Sequence, residues 1–178
     1  MSRLDSFIRR MIAQRECLNW AAEAVAGVPG PVLELGLGNG RTYDHLREHL
    51  PERQIYVFER ADITFDRAYA LSVPSEKFLI LGDIEHTLVS AAARLPAKAA
   101  LAHVDLGTSD AGAYAALALR IGVLLEPLMA PEGIIVSNVI LHAAGLTPLD
   151  TPSDVKPGRY FIYRKGPEGS GNDSFINA

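Results

Sequence analysis

The chain has 178 residues, enough for one compact domain with a sheet covered on both faces. Apolar residues make up 48% and charged residues 21%, the balance of a folded globular protein, and the formal net charge of −4 with interspersed signs offers none of the basic surface that grips a phosphate backbone. Nucleic acid is therefore disfavoured as a partner, and the lone Cys17 excludes an intrachain disulfide or a thiolate metal cluster and fits a reducing cytoplasm.

Leu4, Phe7, Ile8, Met11, Ile12 and Leu18 recur at helical spacing with Arg3, Arg10 and Gln14 between them, which predicts an amphipathic first helix with those apolar residues facing the core. Arg9, Arg10, Gln14, Arg15 and Glu16 interrupt the apolar run, so it does not read as a signal peptide. A second helical stretch through Trp20 to Val25 stops at Gly27 and Pro29. Pro31-Val-Leu-Glu-Leu is a short apolar strand that ends in Gly36-Leu-Gly-Asn-Gly40, and a helix from Arg41 to Leu50 follows. The alternation repeats with a strand at Ile55-Tyr-Val-Phe, a helix from Asp62 to Leu71, a strand at Phe78-Leu-Ile-Leu and a helix from Thr87 to Leu95. Ala100 to Val104 is a fourth strand and Ile134-Ile-Val-Ser a fifth, with a helix carrying Ala113, Leu117, Ile121, Leu124 and Leu128 between them. The apolar region from Ala111 to Ala130 contains Arg120, Glu126 and Pro127, so it reads as a buried helix and no membrane span is expected. Arg159-Tyr-Phe-Ile-Tyr-Arg alternates as a terminal edge strand, and Gly166 to Ala178 reads as a disordered tail. The fold class expected is α/β, a three-layer Rossmann-like sandwich with a mostly parallel sheet and an N-terminal helical extension over residues 1–28, in one domain over residues 1–165.

In such sheets ligands bind beyond the carboxyl ends of the strands, near the reversal of strand order. Glu34, Gly36, Gly38, Asn39 and Gly40 end the first strand, where glycines admit a ligand to the backbone and the following helix start offers N–H groups to an anion. A dinucleotide fingerprint fails, because Arg41 or Tyr43 stands where its last glycine or alanine is needed, and no phosphate-binding Walker loop occurs. Glu34-Leu-Gly-Leu-Gly-Asn-Gly40 closely resembles the first motif of class I S-adenosylmethionine-dependent methyltransferases, E/D-x-G-x-G-x-G. The resemblance covers roughly Pro31 to Asn138. It implies that Glu34 and the glycines position the methionine end of S-adenosyl-L-methionine, that Glu59 with its neighbour Arg60 receives the ribose, and that Gly82, Asp83 and Ile84 hold the adenine. It also implies that Asp105, ending His103-Val-Asp105, lies beside the reacting end.

Asp105 precedes Gly107-Thr-Ser-Asp110, where Ser109 or Asp110 could cap the next helix. His142, after the fifth strand, is either a general base or a surface helix residue. His45 and His49 lie four apart, but Leu46 replaces the Glu of an H-E-x-x-H motif and no third ligand is obvious, so a solvated helix face is expected. His86 is left unassigned. Gly133-Ile-Ile-Val-Ser137-Asn138-Val-Ile-Leu also resembles the G-G-x-I-x-x-D-N-x-L segment of metal-dependent catechol-type O-methyltransferases, whose Asp-Asn pair and fourth-motif acid hold a cation. Ser137 replaces that Asp, so no metal is expected. The reading is a cytoplasmic methyltransferase acting on a small-molecule acceptor, with Asp105 and His142 as catalytic candidates and homo-oligomerisation left open. The alternatives are a non-catalytic cofactor-binding partner or sensor and a nicotinamide-dependent oxidoreductase.

Overall fold

The strands β1 (Val32–Leu35), β2 (Ile55–Glu59) and β4 (Ala99–Val104) are buried along their whole length, as strands covered on both faces of a parallel sheet must be. The computed structural model describes residues 2–60, 74–107 and 111–167. The helix expected over 62–71, the cap expected at Ser109 or Asp110, and the tail from residue 168 onward lie outside the described residues. With β3 (Leu79–Leu81), β5 (Met129–Ser137), β6 (Leu146–Leu149) and β7 (Phe161–Lys165), the sheet has seven strands in the order β3-β2-β1-β4-β5-β7-β6. The first five pair in parallel, and β7 runs antiparallel to both β5 and β6.

Because side chains alternate across a strand, the two faces of the sheet carry two separate cores. Val32, Val57, Leu101, Ile134 and Val136 face α1 (Arg3–Ala24) and α2 (Arg41–His49). Leu33, Leu35, Phe58, Ala102 and Val104 face α3 (Ile84–Ala91) and α4 (Ala111–Leu125). The same period of two places Glu34, Glu59, His103, Asp105 and Asn138 in line with the α1/α2 face.

The N-terminal helices expected as two are one continuous α1, begun by a capping box in which Ser2 and Asp5 bond reciprocally and ended before the first glycine. Its buried face matches the expected one only at Leu18 and, in part, at Met11. Leu4, Phe7, Ile8 and Ile12 are 65%, 50%, 46% and 41% exposed, while Ala13, Gln14, Cys17, Leu18 and Ala21 are buried. The helix is rotated so that polar groups of its buried side meet carboxylates of the sheet, described below. Cys17 is fully buried and its thiol is pushed up to about 12, mainly by that burial. The helix expected from Thr87 starts earlier, at Ile84, because Asp83 caps it, and ends at Ala91. The last strand is not an edge: β7 lies between β5 and β6, and the edge is β6, which the sequence reading lacks. Pro148 weakens its strand signature, yet an edge tolerates a residue without an N–H.

Candidate active site

Strand order reverses between β1 and β4, and the Gly36–Gly40 turn leaves β1 at this point. Gly36, Gly38 and Gly40 have φ of 93°, 50° and 74°. Gly36 and Gly38 meet different demands in this turn. A Cβ on Gly36 would stand 2.6 Å from the Asp105 carbonyl oxygen, so this glycine lets β1 and β4 close up. A Cβ on Gly38 would meet nothing within 4 Å, so this glycine borders open space. Gly40 starts α2 without a side-chain cap, which leaves the amide end of the helix to an outside partner.

Register places Glu34 opposite His103 on adjacent strands, and both side chains are fully buried. His103 Nδ1 lies 2.9 Å from Glu34 Oε2, and Thr42 Oγ1 donates to Glu34 Oε1. With Nδ1 donating to the carboxylate, a neutral His103 ring accepts at Nε2, where the Gln14 amide nitrogen stands at 3.4 Å. Gln14 also donates to Asp105 Oδ2 at 2.8 Å. Burial disfavours a charged His103, but the charge of Glu34, the hydrogen bond to it and the charge of Asp105 outweigh burial and hold its pKa above the ordinary value.

Asp105 collects the remaining donors. Arg10 Nη2 donates to both its oxygens at 2.7 and 2.8 Å, and Asn138 Nδ2 donates to Oδ1 at 2.6 Å and to the Leu106 carbonyl at 3.1 Å. Turning the Asn138 amide over would set two oxygens against each other, so Nδ2 must face the carboxylate. Asn138 Oδ1 is buried without a hydrogen-bond partner among the described residues, and the Tyr160 hydroxyl, also buried, lies beside the Arg10 guanidinium. The Tyr160 ring stacks near-parallel on His103, with centroids 6.2 Å apart, and burial followed by the charge of Asp105 pushes its pKa up, so the hydroxyl keeps its proton. Ser137 Oγ is used locally, accepting from the Val139 N–H at 3.1 Å.

On the other side of the turn the carboxylates are held by backbone. Glu59 is 7% exposed; its Oε2 accepts from the Leu37 and Gly38 N–H groups at 2.7 and 3.2 Å, and its Oε1 from Arg60 N–H at 2.7 Å. Asp83 Oδ1 accepts from Glu85 and His86 N–H at 3.0 and 3.2 Å, capping α3, and the side chain is 59% exposed. Gly82 has a φ of 145° and brings the chain from β3 into that cap, with Ile84 following it.

The structure thus brings Glu34, the glycine turn, Glu59 and Asp105 together around the end of β1, while Asp83 sits beyond β3 at the edge of the sheet. His142 is separate: exposed, and in the loop after β5 rather than in a helix, with its backbone against Gly122 of α4. Arg10, Gln14, Thr42, His103 and Tyr160 are absent from the sequence reading of the site. Gln14 carried a signal, since it shares a helical stripe with Cys17, Leu18 and Ala21, where a polar residue needs a buried partner.

Comparison with known proteins agrees with this geometry. Residues 1–165 match the profile of a family described as S-adenosyl-L-methionine methyltransferase. A crystal structure of an S-adenosyl-L-methionine methyl transferase from Silicibacter pomeroyi DSS-3 is 47% identical, with a TM-score of 0.84 over 93% of this chain and 99% of that one. Human methyltransferase-like protein 13 in complex with SAH is 14% identical, with a TM-score of 0.52 over 93% of this chain and 85% of that one. An O-methyltransferase family protein from Burkholderia thailandensis is also 14% identical, at 0.52 over 85% and 55%; these two share the fold. No curated protein matches the chain.

Proposed function

The chain belongs to the S-adenosyl-L-methionine methyltransferase family and is an S-adenosyl-L-methionine-dependent methyltransferase, and on that premise we propose that the cofactor lies across the carboxyl ends of β1, β2, β3 and β4, in a single domain over residues 1–165. The observation that carries this reading is the turn at the strand reversal, where Gly38 borders open space and α2 starts without a side-chain cap. The residues present fit the group. Gly36, Gly38, Asn39 and Gly40 receive its methionine end, Glu59 and Arg60 its ribose, and Gly82, Asp83 and Ile84 its adenine. Glu59 has four lone-pair positions and three backbone donors, so a ribose hydroxyl takes the fourth or displaces an amide. Asp83 Oδ1 serves the helix cap, and its exposed carboxylate retains acceptor capacity for an amino group.

When bound, the cofactor supplies a methyl carbon already activated by its sulfonium, so alignment and exclusion of water are the protein's main tasks. Glu34 is a positioning residue, since it is buried and acts through Thr42 and His103. Asp105 borders the reacting end and is itself oriented by Arg10, Gln14 and Asn138. Among the described residues, Asn138 Oδ1 and the protonated Tyr160 hydroxyl beside Arg10 are polar groups available to orient an acceptor. His142 serves as a base only if the acceptor must lose a proton and the loop after β5 reaches it.

We read the acceptor as a small molecule and the setting as cytoplasmic. Support comes from the net charge of −4 and the buried cysteine; no described helix is long and apolar enough to cross a membrane. We also propose that the transfer needs no divalent cation, because the Asp105 oxygens are engaged by Arg10, Gln14 and Asn138 and Ser137 offers only a hydroxyl already used in its turn. Calorimetry with S-adenosylmethionine, its demethylated product and a nicotinamide dinucleotide tests the placement. Binding of the first two, lost in Gly38→Val, is expected, and no heat with either at millimolar concentration overturns it. Turnover on an acceptor found by screening should survive chelation; loss restored by magnesium, and abolished with Asp105→Asn, would overturn the metal-free reading.

A further inference from the structure

The exposed side of α2 carries a group of side chains that the methyl-transfer site does not use. His45, Glu48 and His49 stand at positions i, i+3 and i+4, which a helix brings to one face. A nitrogen of each ring and a carboxylate oxygen of Glu48 all lie within 4.8 Å of one another, and the two rings are 4.1 Å apart between centroids. Glu48 therefore supplies the third ligand that the sequence spacing of the histidines does not reveal, four residues apart though they are.

The hydrogen bonds around the rings decide which nitrogens can bind an ion. His45 Nε2 lies 2.8 Å from Asn19 Oδ1, an acceptor, so that nitrogen carries the proton and Nδ1 keeps its lone pair. His49 Nδ1 donates to the His45 carbonyl at 2.9 Å, which leaves Nε2 its lone pair. Each imidazole is thus held in one tautomer by an oxygen behind it, the arrangement that orients histidine ligands in metal sites. His45 is half-buried against α1, whereas Glu48 and His49 are exposed and give an ion a path from solvent.

We propose that His45, Glu48 and His49 form a binding site for a borderline transition-metal cation of the zinc type, with Asn19 as the residue that orients His45. Two imidazoles and one carboxylate suit zinc, cobalt or nickel and are a poor set for magnesium or calcium, which demand oxygen. Three protein ligands leave the fourth position to water. Since Asn19 belongs to α1 and the ligands to α2, the bound ion reinforces the packing of α1 on α2, away from the glycine turn and from Asp105.

The test uses the full chain without an affinity tag, stripped by chelator and dialysed. Zinc chloride titrated by calorimetry, and cobalt chloride followed by visible absorption, should each show one saturable equivalent per chain, with a rise in melting temperature on zinc addition. His49→Ala and Glu48→Gln should weaken zinc binding at least tenfold without changing the melting temperature of the metal-free protein, and His86→Ala should leave the titration unchanged. Asn19→Leu should weaken it by roughly ten- to a hundredfold, the usual effect of removing an orienting partner. His45 is half-buried, so if His45→Ala misfolds the exposed His49→Ala decides the matter. No saturable binding at about 100 µM zinc, or equal binding in wild type and His49→Ala, overturns the proposal.

Discussion

The two ends of the proposed cofactor cleft hold their carboxylates by different means. At the β2 and β3 ends, Glu59 and Asp83 are bonded by backbone amides of neighbouring turns, Asp83 by residues only two and three positions on. At the β1 and β4 ends, Glu34 and Asp105 are bonded chiefly by side chains from elsewhere in the chain: His103 lies 69 residues from Glu34, and Arg10 lies 95 from Asp105. Backbone amides come with the local fold, whereas the Arg10, Gln14 and Asp105 cluster exists only while α1 is docked. On the proposed placement, the nucleoside end is built by turns and the reacting end by tertiary packing, so substitutions at the two ends should fail differently.

The largest effects are expected where the two ends meet, at the glycine turn. Gly36→Ala combines a left-handed backbone with a Cβ 2.6 Å from a carbonyl oxygen and should cost about 3 kcal/mol or more of stability in urea denaturation. Gly38→Val is strained as well, since its φ is 50°, but its Cβ meets no atom within 4 Å, so a smaller loss of stability is expected, together with an affinity for the cofactor below detection by calorimetry. Equal stability of the two variants would show that the turn does not divide its work in this way.

Asp105→Ala comes next. It removes the acceptor shared by Arg10, Gln14 and Asn138 and should cost about 2 kcal/mol, a value kept low because Arg10 is 43% exposed. Hydrogen exchange of α1 should rise while that of α3 stays unchanged. Glu59→Ala should spare α1 and weaken cofactor binding by roughly ten- to a hundredfold, the loss of a charged hydrogen bond worth about 1.5–3 kcal/mol. Unchanged affinity in a folded Glu59→Ala protein would remove the ribose assignment.

Asp83→Ala should lower stability by about 1 kcal/mol through loss of the α3 cap and weaken the cofactor about tenfold, consistent with loss of one hydrogen bond to it. The smallest effect is a pH dependence at the reacting end. The folded pKa of His103 lies above the ordinary value of 6.5, so its contribution to stability is fully present below that ordinary value and is lost as pH rises through the raised one. Melting temperature should therefore fall slightly across that interval in wild type and less so in His103→Gln. A wild-type profile that rises with pH there, with the rise absent from His103→Gln, would show that the ring is buried neutral.

Much of this architecture is legible in local pattern. The apolar runs of β1, β2, β4 and β5, the glycine spacing after β1, and the acids ending β2, β3 and β4 follow from a period of two, from positive φ and from strand-end chemistry, each readable within a few residues. Strand β6 escapes because Pro148 and its half-exposed neighbours are tolerated only where an edge is available, a property of the sheet rather than of the segment.

The face that α1 buries escapes for a related reason. Its apolar stripe through Leu4, Phe7, Ile8 and Ile12 predicts one orientation, but the helix turns Arg10 and Gln14 inward because Asp105 and His103 wait for them on the sheet. Sequence by itself determined the α/β alternation, the methyltransferase motif and the ends of the strands, because these rest on short-range periodicity and backbone conformation. Tertiary structure alone decided which polar residues meet at Asp105, because hydrogen bonds and ion pairs between residues far apart in the chain exist only once the sheet and α1 are packed together.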